Sequence, residues 1–363
     1  MEAFSQKAIE ALTWLRYSLN HDIEAPVISD WSALYAFADK QKLLGVCFPA
    51  QCIDCIEEDL LYQWIGTVLQ IEKQNQLLNS RIEQLFNILE ADGFNCCLLK
   101  GQGNAAMYPN HLMRCSGDID IWVNSDMETI CNYVNRRFPN VQLSFKHIHF
   151  PIFDDTKVDI HAIPLKFYSN RYGKRIQRWI EQNKNEQFSN TQIIVGLTRE
   201  VCVPSYRFNV IYQLGHMLMH MIDEGVGLRQ VVDYYYLLKS SKLSEDDWEE
   251  IMESARYLGL LRFAEAILWI ENIVFGLPDD ACLIRPNERL GKMILHDILE
   301  GGNFGYYSKR HRANRGYYYI GLAESWRILK LIRIAPLEIV SRLQRKMSYA
   351  VKHTMKIKHS KNK

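Results

Sequence analysis

The spacing of apolar residues changes along the chain and separates a helical leader from a region of short strands. From about Glu57 to Ala91 apolar positions recur every three or four residues, which predicts a long amphipathic helix. Ser29 and Asp30 are suited to cap another helix that runs through Lys40. Asp92-Gly93 follows the long pattern, and glycine readily adopts the left-handed conformation that ends a helix.

Short apolar runs bounded by turn residues replace the helical pattern up to about Pro164, and such runs predict strands. The predicted strands are Cys96 to Leu99, Asp118 to Val123, Val141 to Phe145, His149 to Phe153 and Lys157 to His161. A helix is predicted from Ser125 to Phe138, capped by Ser125 with Glu128 three residues later as in a capping box. Another should follow Lys100-Gly101. This order predicts a compact α+β unit with a small mixed β-sheet.

A polar, aromatic stretch follows residue 165, and a helical pattern dominates from Pro204 onward. The predicted helices are Ser205 to Ile222, Leu228 to Lys239, Glu245 to Leu258, Leu261 to Phe275, Asn287 to Leu299 and Tyr317 to Ile334. We therefore expect an α+β fold with a small mixed β-sheet core at 93–165, flanked by an N-terminal helical region at 1–92. A helical domain at 166–335 should complete the functional site. A basic C-terminal helix and tail, 336–363, should end in a disordered Lys-rich segment from Lys356 to Lys363.

Composition is ordinary for a globular protein, at 48% hydrophobic and 23% charged residues. The N-terminus lacks the features of a signal peptide and no apolar run approaches the roughly 20 residues of a membrane span, so we expect a cytoplasmic protein without a transmembrane segment. Nine cysteines without a framework spacing fit a reducing compartment. Cys52 and Cys55 form an isolated pair, which favours a plain helical turn over a zinc site.

Basic charge is concentrated at the C-terminal end. Eleven Lys and Arg residues lie between Trp326 and Lys363 against the single acid Glu338, so this segment carries +10 and the rest of the chain −9 in a net charge of +1. Apolar residues alternate with these cations, which is typical of an amphipathic helix that touches an anionic membrane or a partner. We expect the simpler arrangement, a docked final helix with a solvated basic face.

Two aspartates share one predicted strand in Gly117-Asp118-Ile119-Asp120-Ile121. Alternate side chains of a strand face the same way, so Asp118 and Asp120 should stand side by side. Neighbouring carboxylates repel unless a cation neutralises them, and Mg²⁺ prefers such oxygen ligands. Asp159 lies in a second apolar-Asp-apolar strand, and an antiparallel pairing would bring it beside the first two. Asp159 is the candidate for orienting or deprotonating an acceptor hydroxyl.

A glycine-containing turn, Lys100-Gly101-Gln102-Gly103, joins a predicted strand to a helix, where free backbone amides favour phosphate. Lys100 and Arg114 are further candidates for phosphate contacts. The alternative is a plain strand-helix turn with surface cations, because Gly-x-Gly alone is weak evidence.

Two pairs of polar residues are spaced by one helical turn. His216 and His220 share one helix face, and Arg229 and Asp233 share a face of the next helix. These residues are candidates for a second wall of the site. We expect Arg229 to pair with Asp233 and lock the helices, with direct substrate contact as the alternative and Arg229 as the member that reaches a phosphate.

These motifs resemble the DNA polymerase β-like nucleotidyltransferase superfamily and, more closely, its uncharacterised nucleotidyltransferase family of bacterial proteins. The resemblance spans roughly residues 95 to 305 and rests on these segments: Leu98-Leu99-Lys100-Gly101, Tyr108-Pro109, Arg114, Gly117-Asp118-Ile119-Asp120, Val158-Asp159-Ile160-His161, His216-x3-His220, Gly227-Leu228-Arg229-x3-Asp233 and Gly301 to Gly305. It implies that Asp118, Asp120 and Asp159 are metal ligands and that Gly101 belongs to the nucleotide-binding loop. Gln102 departs from the superfamily pattern, which often has Gly or Ser there.

We therefore hypothesise an enzyme, a Mg²⁺-dependent nucleotidyltransferase, with Mn²⁺ as the alternative ion, that transfers NMP from an NTP such as ATP to a hydroxyl of a small molecule or protein. The nucleotide-binding residues would be Lys100, Gly101, Gln102, Gly103, Arg114 and Gly117. The alternative is a non-catalytic nucleotide-binding or regulatory module of the same fold. Aromatic and basic residues interleave at Tyr306 to Arg312 and at Tyr317 to Tyr319, a pattern that can stack bases, yet with near-neutral net charge we do not expect nucleic acid as a partner.

Overall fold

The computed structural model describes residues 4–139, 141, 147–308 and 317–361, with the backbone alone at 317–320 and 349–361. Three helices precede the sheet: α1 Gln6–Asn20, α2 Trp31–Gln41 and α3 Glu58–Ala91. The next part contains β1 Cys96–Leu99, α4 Gly101–Ala105, β2 Asp118–Val123, α5 Met127–Arg137, β3 Ile148–His149 and β4 Lys157–His161.

Helices dominate the rest of the described chain. These elements are α6 Asn170–Gln187, β5 Thr191–Ile193, β6 Glu200–Cys202, α7 Tyr206–Asp223, α8 Leu228–Ser240, α9 Glu245–Leu258, α10 Leu261–Trp269, α11 Glu288–Gly301, α12 Tyr317–Lys330 and α13 Pro336–Lys361. A π-helical segment, Ile270–Val274, continues α10, and short 3₁₀ turns lie at Ile53–Cys55, His111–Met113, Asp279–Ala281, Asn303–Gly305 and Leu331–Arg333. None of the described helices combines the length and apolar character that crossing a membrane requires.

The α+β fold class is confirmed, with a small mixed sheet among helices. The sheet order is β1-β2-β4-β3, in which β1 is antiparallel to β2 and β3 is antiparallel to β4. β2 and β4 run parallel, so the antiparallel pairing predicted for the strand of Asp159 is wrong. The chain leaves β2 through α5 and enters β4 from the short strand β3, and this hairpin turns β4 into the direction of β2.

Alternation along the strands gives the sheet two different faces. Ile119, Ile121 and Val123 are buried in one apolar cluster together with residues of α3 and α5. Trp122 belongs to the opposite cluster, built with the C-terminal helices. Asp118 and Asp120 alternate with the first group, so they lie on the face that α7 and α8 cover. The sheet thereby presents its polar positions toward the helical region.

Several local predictions differ from the structure. Asp126 caps α5, accepting a hydrogen bond from the Thr129 N–H at 2.9 Å, so the predicted Ser125 cap is wrong. The predicted strand from His149 is cut to Ile148–His149, because Pro151 lacks the N–H that a ladder needs. The predicted strand Val141 to Phe145 and the segment Tyr306 to Arg312 lie largely outside the described residues.

The last two helices and the 3₁₀ turn between them pack on the helical region through buried apolar residues, which include Ile328, Leu331 and Ile339. Glu338 is buried and accepts a hydrogen bond from the Tyr168 N–H at 2.6 Å. The docked final helix is therefore confirmed. The prediction of a disordered segment from Lys356 is wrong as far as Lys361, to which the backbone is helical.

Candidate active site

A cavity of about 390 Å³ lies between the polar face of the sheet and helices α7 and α8. Its lining brings together ten residues singled out from the sequence, namely Lys100, Gly101, Arg114, Asp118, Asp120, Asp159, His216, His220, Arg229 and Asp233. Gln102, Gly103 and Gly117 lie outside the lining. The buried Gln102 side chain instead donates a hydrogen bond to Asn79 of α3 at 2.7 Å.

Asp120 is a buried carboxylate on the cavity floor, with 9% of its surface exposed. Lys100 Nζ lies 2.7 Å from Asp120 Oδ2, and His161 Nε2 lies 2.8 Å from Asp120 Oδ1. Burial opposes ionisation, yet Lys100 and His161 together hold the pKa of Asp120 well below its usual range. Asp120 is therefore a carboxylate whose negative charge is balanced inside the protein.

Asp159 stands directly opposite Asp120 on the neighbouring strand. Its Oδ2 accepts a hydrogen bond from Lys157 at 2.6 Å. Its Oδ1 is buried and forms no hydrogen bond with any described residue. His149 Nδ1 lies 3.4 Å from this oxygen, but not in hydrogen-bond geometry. Asp118 is exposed at the rim of the same face. The parallel pairing of β2 and β4 thus brings the three carboxylates together at one cavity.

The donor chemistry of this floor suits a hard divalent cation. Aspartate oxygens are the ligands that Mg²⁺ prefers, and the unsatisfied Asp159 Oδ1 is a buried acceptor available to one. Among the described residues no three acidic, His or Cys side chains are arranged as a closed metal-binding group. Lys100 and Lys157 contact the carboxylates instead, so a cation can bind only if these ammonium groups give way.

Lys100 occupies an unusual backbone conformation at the end of β1. Its φ of 50° and ψ of −137° lie in a region that residues other than glycine rarely adopt, and Gly101 follows with φ of 44°. Such conformations cost on the order of 1–3 kcal/mol and occur preferentially at functional sites. The turn directs the Lys100 side chain across the cavity floor to Asp120.

A chain of hydrogen bonds extends from the floor along the wall made by α7. Lys100 Nζ lies 2.9 Å from His216 Nε2, which must accept because lysine has only donors. His216 Nε2 lies 3.1 Å from His220 Nε2, and His220 Nδ1 lies 2.7 Å from Glu224. The predicted shared face of the two histidines is confirmed. Their contacts hold the Lys100 ammonium between Asp120 and the helical wall.

Asp233 pairs with Arg114 and not, as predicted, with Arg229. Arg114 Nε and Nη2 donate to the two oxygens of Asp233 at 2.7 and 2.8 Å, and Tyr108 donates a third hydrogen bond at 2.6 Å. Arg114 Nη1 contacts Ser116 at 2.8 Å. Local spacing favoured Arg229, but the bidentate fork of Arg114 satisfies the buried carboxylate better. This clamp ties the segment before Asp118 to α8.

Arg229 lines the cavity. Its Nη1 donates to the Cys115 carbonyl at 2.5 Å, while its buried Nε has no hydrogen-bond partner among the described residues. Burial and the nearby Arg114 charge lower the pKa of Arg229. Phe304, another residue of the lining, lies 5.8 Å from the guanidinium and 5.1 Å from the His220 ring. Phe304 has a positive φ of 51° in the turn after α11.

Sequence reasoning missed several ionisable residues of the cavity lining: His147, Lys157, His161, Lys166 and Glu224. Lys157 and His161 were detectable, because they alternate with Asp159 along one strand and must share its face. Burial lowers the pKa of Lys166, and it lowers the pKa of His147 although Asp159 opposes this. No comparable sequence signal marks Lys166 or His147, which lie outside regular strands.

Comparisons with known proteins give one family match. A family model described as uncharacterised nucleotidyltransferase matches residues 28–276, which is well over half of the chain. The matched range begins well before Leu98, the first residue of the motifs, and ends before Phe304. The structure of an antigenic nucleotidyltransferase-like protein from Paracoccidioides brasiliensis is similar at 10% identity and a TM-score of 0.31, covering 61% of this chain and 95% of that one. A likeness that weak supports no argument. No curated protein matches the chain significantly.

Proposed function

The chain belongs to the family of uncharacterised nucleotidyltransferases, and on that premise we propose that it transfers NMP from an NTP to a hydroxyl of a small-molecule or protein acceptor in a Mg²⁺-dependent reaction. One observation carries the proposal. Asp120 and Asp159 stand in register on adjacent strands, with Asp118 two residues away, on the floor of a cavity with basic walls.

Asp118, Asp120 and Asp159 would hold the divalent cation. When bound, the cation would neutralise charge on the phosphates and lower the pKa of the attacking hydroxyl. Lys100, Arg229 and other cations of the lining would bind the phosphates, with Lys100 contacting a phosphate oxygen in place of Asp120. The buried walls exclude water and strengthen these electrostatic contacts.

Asp159 orients the acceptor hydroxyl and accepts its proton. The hydroxyl oxygen forms a bond to the α-phosphorus of the NTP, and the bond from that phosphorus to the bridging oxygen breaks. Pyrophosphate leaves with the electron pair of the broken bond. Parallel pairing favours this division of work, because Asp159 adjoins Asp120 while keeping one oxygen without a hydrogen bond.

The test is NMP transfer by the full chain with each NTP and Mg²⁺ across a panel of sugars, amino alcohols and hydroxyl-bearing proteins. Nucleotides labelled at the α-phosphate should label an acceptor and release pyrophosphate. Asp118→Asn and Asp120→Asn, which keep side-chain size, should each lower the rate at least about a hundredfold. Asp280→Asn is the matched control, since Asp280 is exposed outside the cavity lining. Undiminished transfer in both site variants would reject the assignment.

A second candidate function is nucleotide binding without turnover. The observation that favours it is the internal neutralisation of Asp120 by Lys100 and of Asp159 by Lys157, which stabilises both carboxylates without a metal. Calorimetry with each NTP and Mg²⁺ separates the two functions. Binding without pyrophosphate release across the acceptor panel supports a binding module, whereas pyrophosphate release supports the enzyme.

A further inference from the structure

Helices α12 and α13 each have two apolar sides. Ile328 of α12 and Ile339 of α13 are fully buried and pack on the helical region. Leu322, Trp326 and Leu329 recur at intervals of four and three along α12, yet 65%, 65% and 39% of their surfaces are exposed. A surface helix of a globular protein needs one apolar stripe for its core. The fold leaves the second stripe unused.

The exposed stripe continues through the connecting turn into α13. Its members there are Ile332, Leu337, Val340 and Met347. The α13 members lie three and seven residues apart, as one helix face requires. We call the seven exposed apolar residues from Leu322 to Met347, together with the exposed cations beside them, the apolar-basic face.

The charges around this stripe are of one sign. Lys330, Arg333 and Arg345 are exposed. The two acids of the segment turn elsewhere, since Glu324 pairs with Lys346 at 2.6 Å and Glu338 is buried. None of the described residues from 321 to 348 is both acidic and exposed. The sequence beyond 348 adds five lysines and no acid.

We propose that the apolar-basic face binds the surface of a membrane that contains anionic lipids, with α12 and α13 lying in the plane of the interface. Exposed Leu and Trp side chains suit insertion at the level of the headgroups, and flanking Lys and Arg suit anionic headgroups. The concentration of +10 in this end of the chain supports the same partner. A second copy is a poorer fit, because a twofold contact through this face would set the same cations against each other.

Flotation of the full chain with vesicles tests the proposal. Vesicles of phosphatidylcholine alone are compared with vesicles containing about 30% phosphatidylglycerol, at low and at about 0.5 M salt. We expect binding to the anionic vesicles and loss of that binding at high salt, since salt screens the attraction. Equal binding to both vesicle types, or binding to neither, would overturn the proposal.

Matched variants locate the surface. Trp326→Gln combined with Leu322→Gln should weaken binding at least about tenfold, because two large apolar side chains no longer leave water. Lys330→Gln and Arg333→Gln should each weaken it about fivefold, the equivalent of roughly 1 kcal/mol per cation. Control substitutions on α3 are Leu69→Gln, at a side chain 57% exposed, and Lys73→Gln, at an exposed position.

Thermal unfolding checks that each variant remains folded. Substitutions at exposed positions should leave the midpoint temperature of unfolding unchanged. Loss of vesicle binding in the α3 controls as in the α12 variants would overturn the location. Concentration-dependent dimerisation that Trp326→Gln abolishes, without any vesicle binding, would assign the face to a protein partner and overturn the membrane proposal.

Discussion

Removal of one partner from the Arg114–Asp233 clamp should be among the most damaging single substitutions in the chain. Both side chains are 5% exposed, and three hydrogen bonds of 2.6 to 2.8 Å converge on the carboxylate. Arg114 holds the pKa of Asp233 below its usual value against the opposing effect of burial. Asp233→Leu leaves Arg114 charged, buried and unpaired, which costs about 3–5 kcal/mol.

Urea unfolding followed by tryptophan fluorescence measures that loss. The double variant Arg114→Met with Asp233→Leu should recover much of it, because no buried charge then remains without a partner. Lys292→Gln is the control, since Lys292 contacts Glu288 on an exposed helix face and its loss should cost under about 1 kcal/mol. A loss below about 1 kcal/mol in Asp233→Leu, or no recovery of stability in the double variant, would show that the buried clamp does not stabilise the fold in this way.

Three further predictions concern other parts of the chain. Burial raises the pKa of Glu271 well above its usual value, so its stabilising contribution is complete below about pH 4 and is lost as pH rises. Relative to the unsubstituted chain, Glu271→Gln should therefore leave the free energy of unfolding in urea similar at pH 4 and raise it by on the order of 1 kcal/mol for each pH unit above pH 4. An effect of equal size at pH 4 and at higher pH would contradict this. A Cβ at Gly227 would lie 2.8 Å from the Asn303 Cα, so Gly227→Ala should destabilise by about 1–3 kcal/mol in the same assay, and an unchanged midpoint would count against that packing. His216→Phe should lower NMP transfer by roughly ten- to a hundredfold, because Lys100 loses the acceptor that holds it, and an unchanged rate would remove His216 from the site.

Strands and long helices were predictable because their signals are local. β1, β2 and β4 begin and end where the apolar runs indicated, and α3 differs by one residue from its periodic pattern. Helix α6 was missed because its sequence is strongly polar and its buried stripe includes only a few apolar residues, such as Ile176 and Ile180. Ser169, which caps α6, was its one local start signal.

The composition of the site was more predictable than its pairing. Alternation along β2 placed Asp118 and Asp120 together, and the one-turn spacing placed His216 beside His220. The parallel direction of β4 and the partner of Asp233 depend on residues far apart in sequence, which no local rule reports. Arg114 lies 119 residues from Asp233, and it prevails over the nearer Arg229 through its bidentate geometry.

The outer surface of the last helices shows the same limit. The amphipathic pattern and the excess of cations were evident from sequence, but one apolar stripe is enough to dock a helix. Only the packing shows that Ile328 and Ile339 dock the helices while Trp326 remains exposed. That distinction changes a solvated basic face into a candidate membrane surface.

A structure of the chain bound to Mn²⁺ and a non-hydrolysable NTP tests whether the three aspartates form a metal and nucleotide site, because anomalous scattering locates the metal independently of the nucleotide. The proposed function predicts that Asp118, Asp120 and Asp159 hold the metal, that Lys100 contacts a phosphate in place of Asp120, and that the α-phosphate faces Asp159. Nucleotide bound away from this cavity, or metal absent from these carboxylates while Lys100 stays on Asp120, would contradict it.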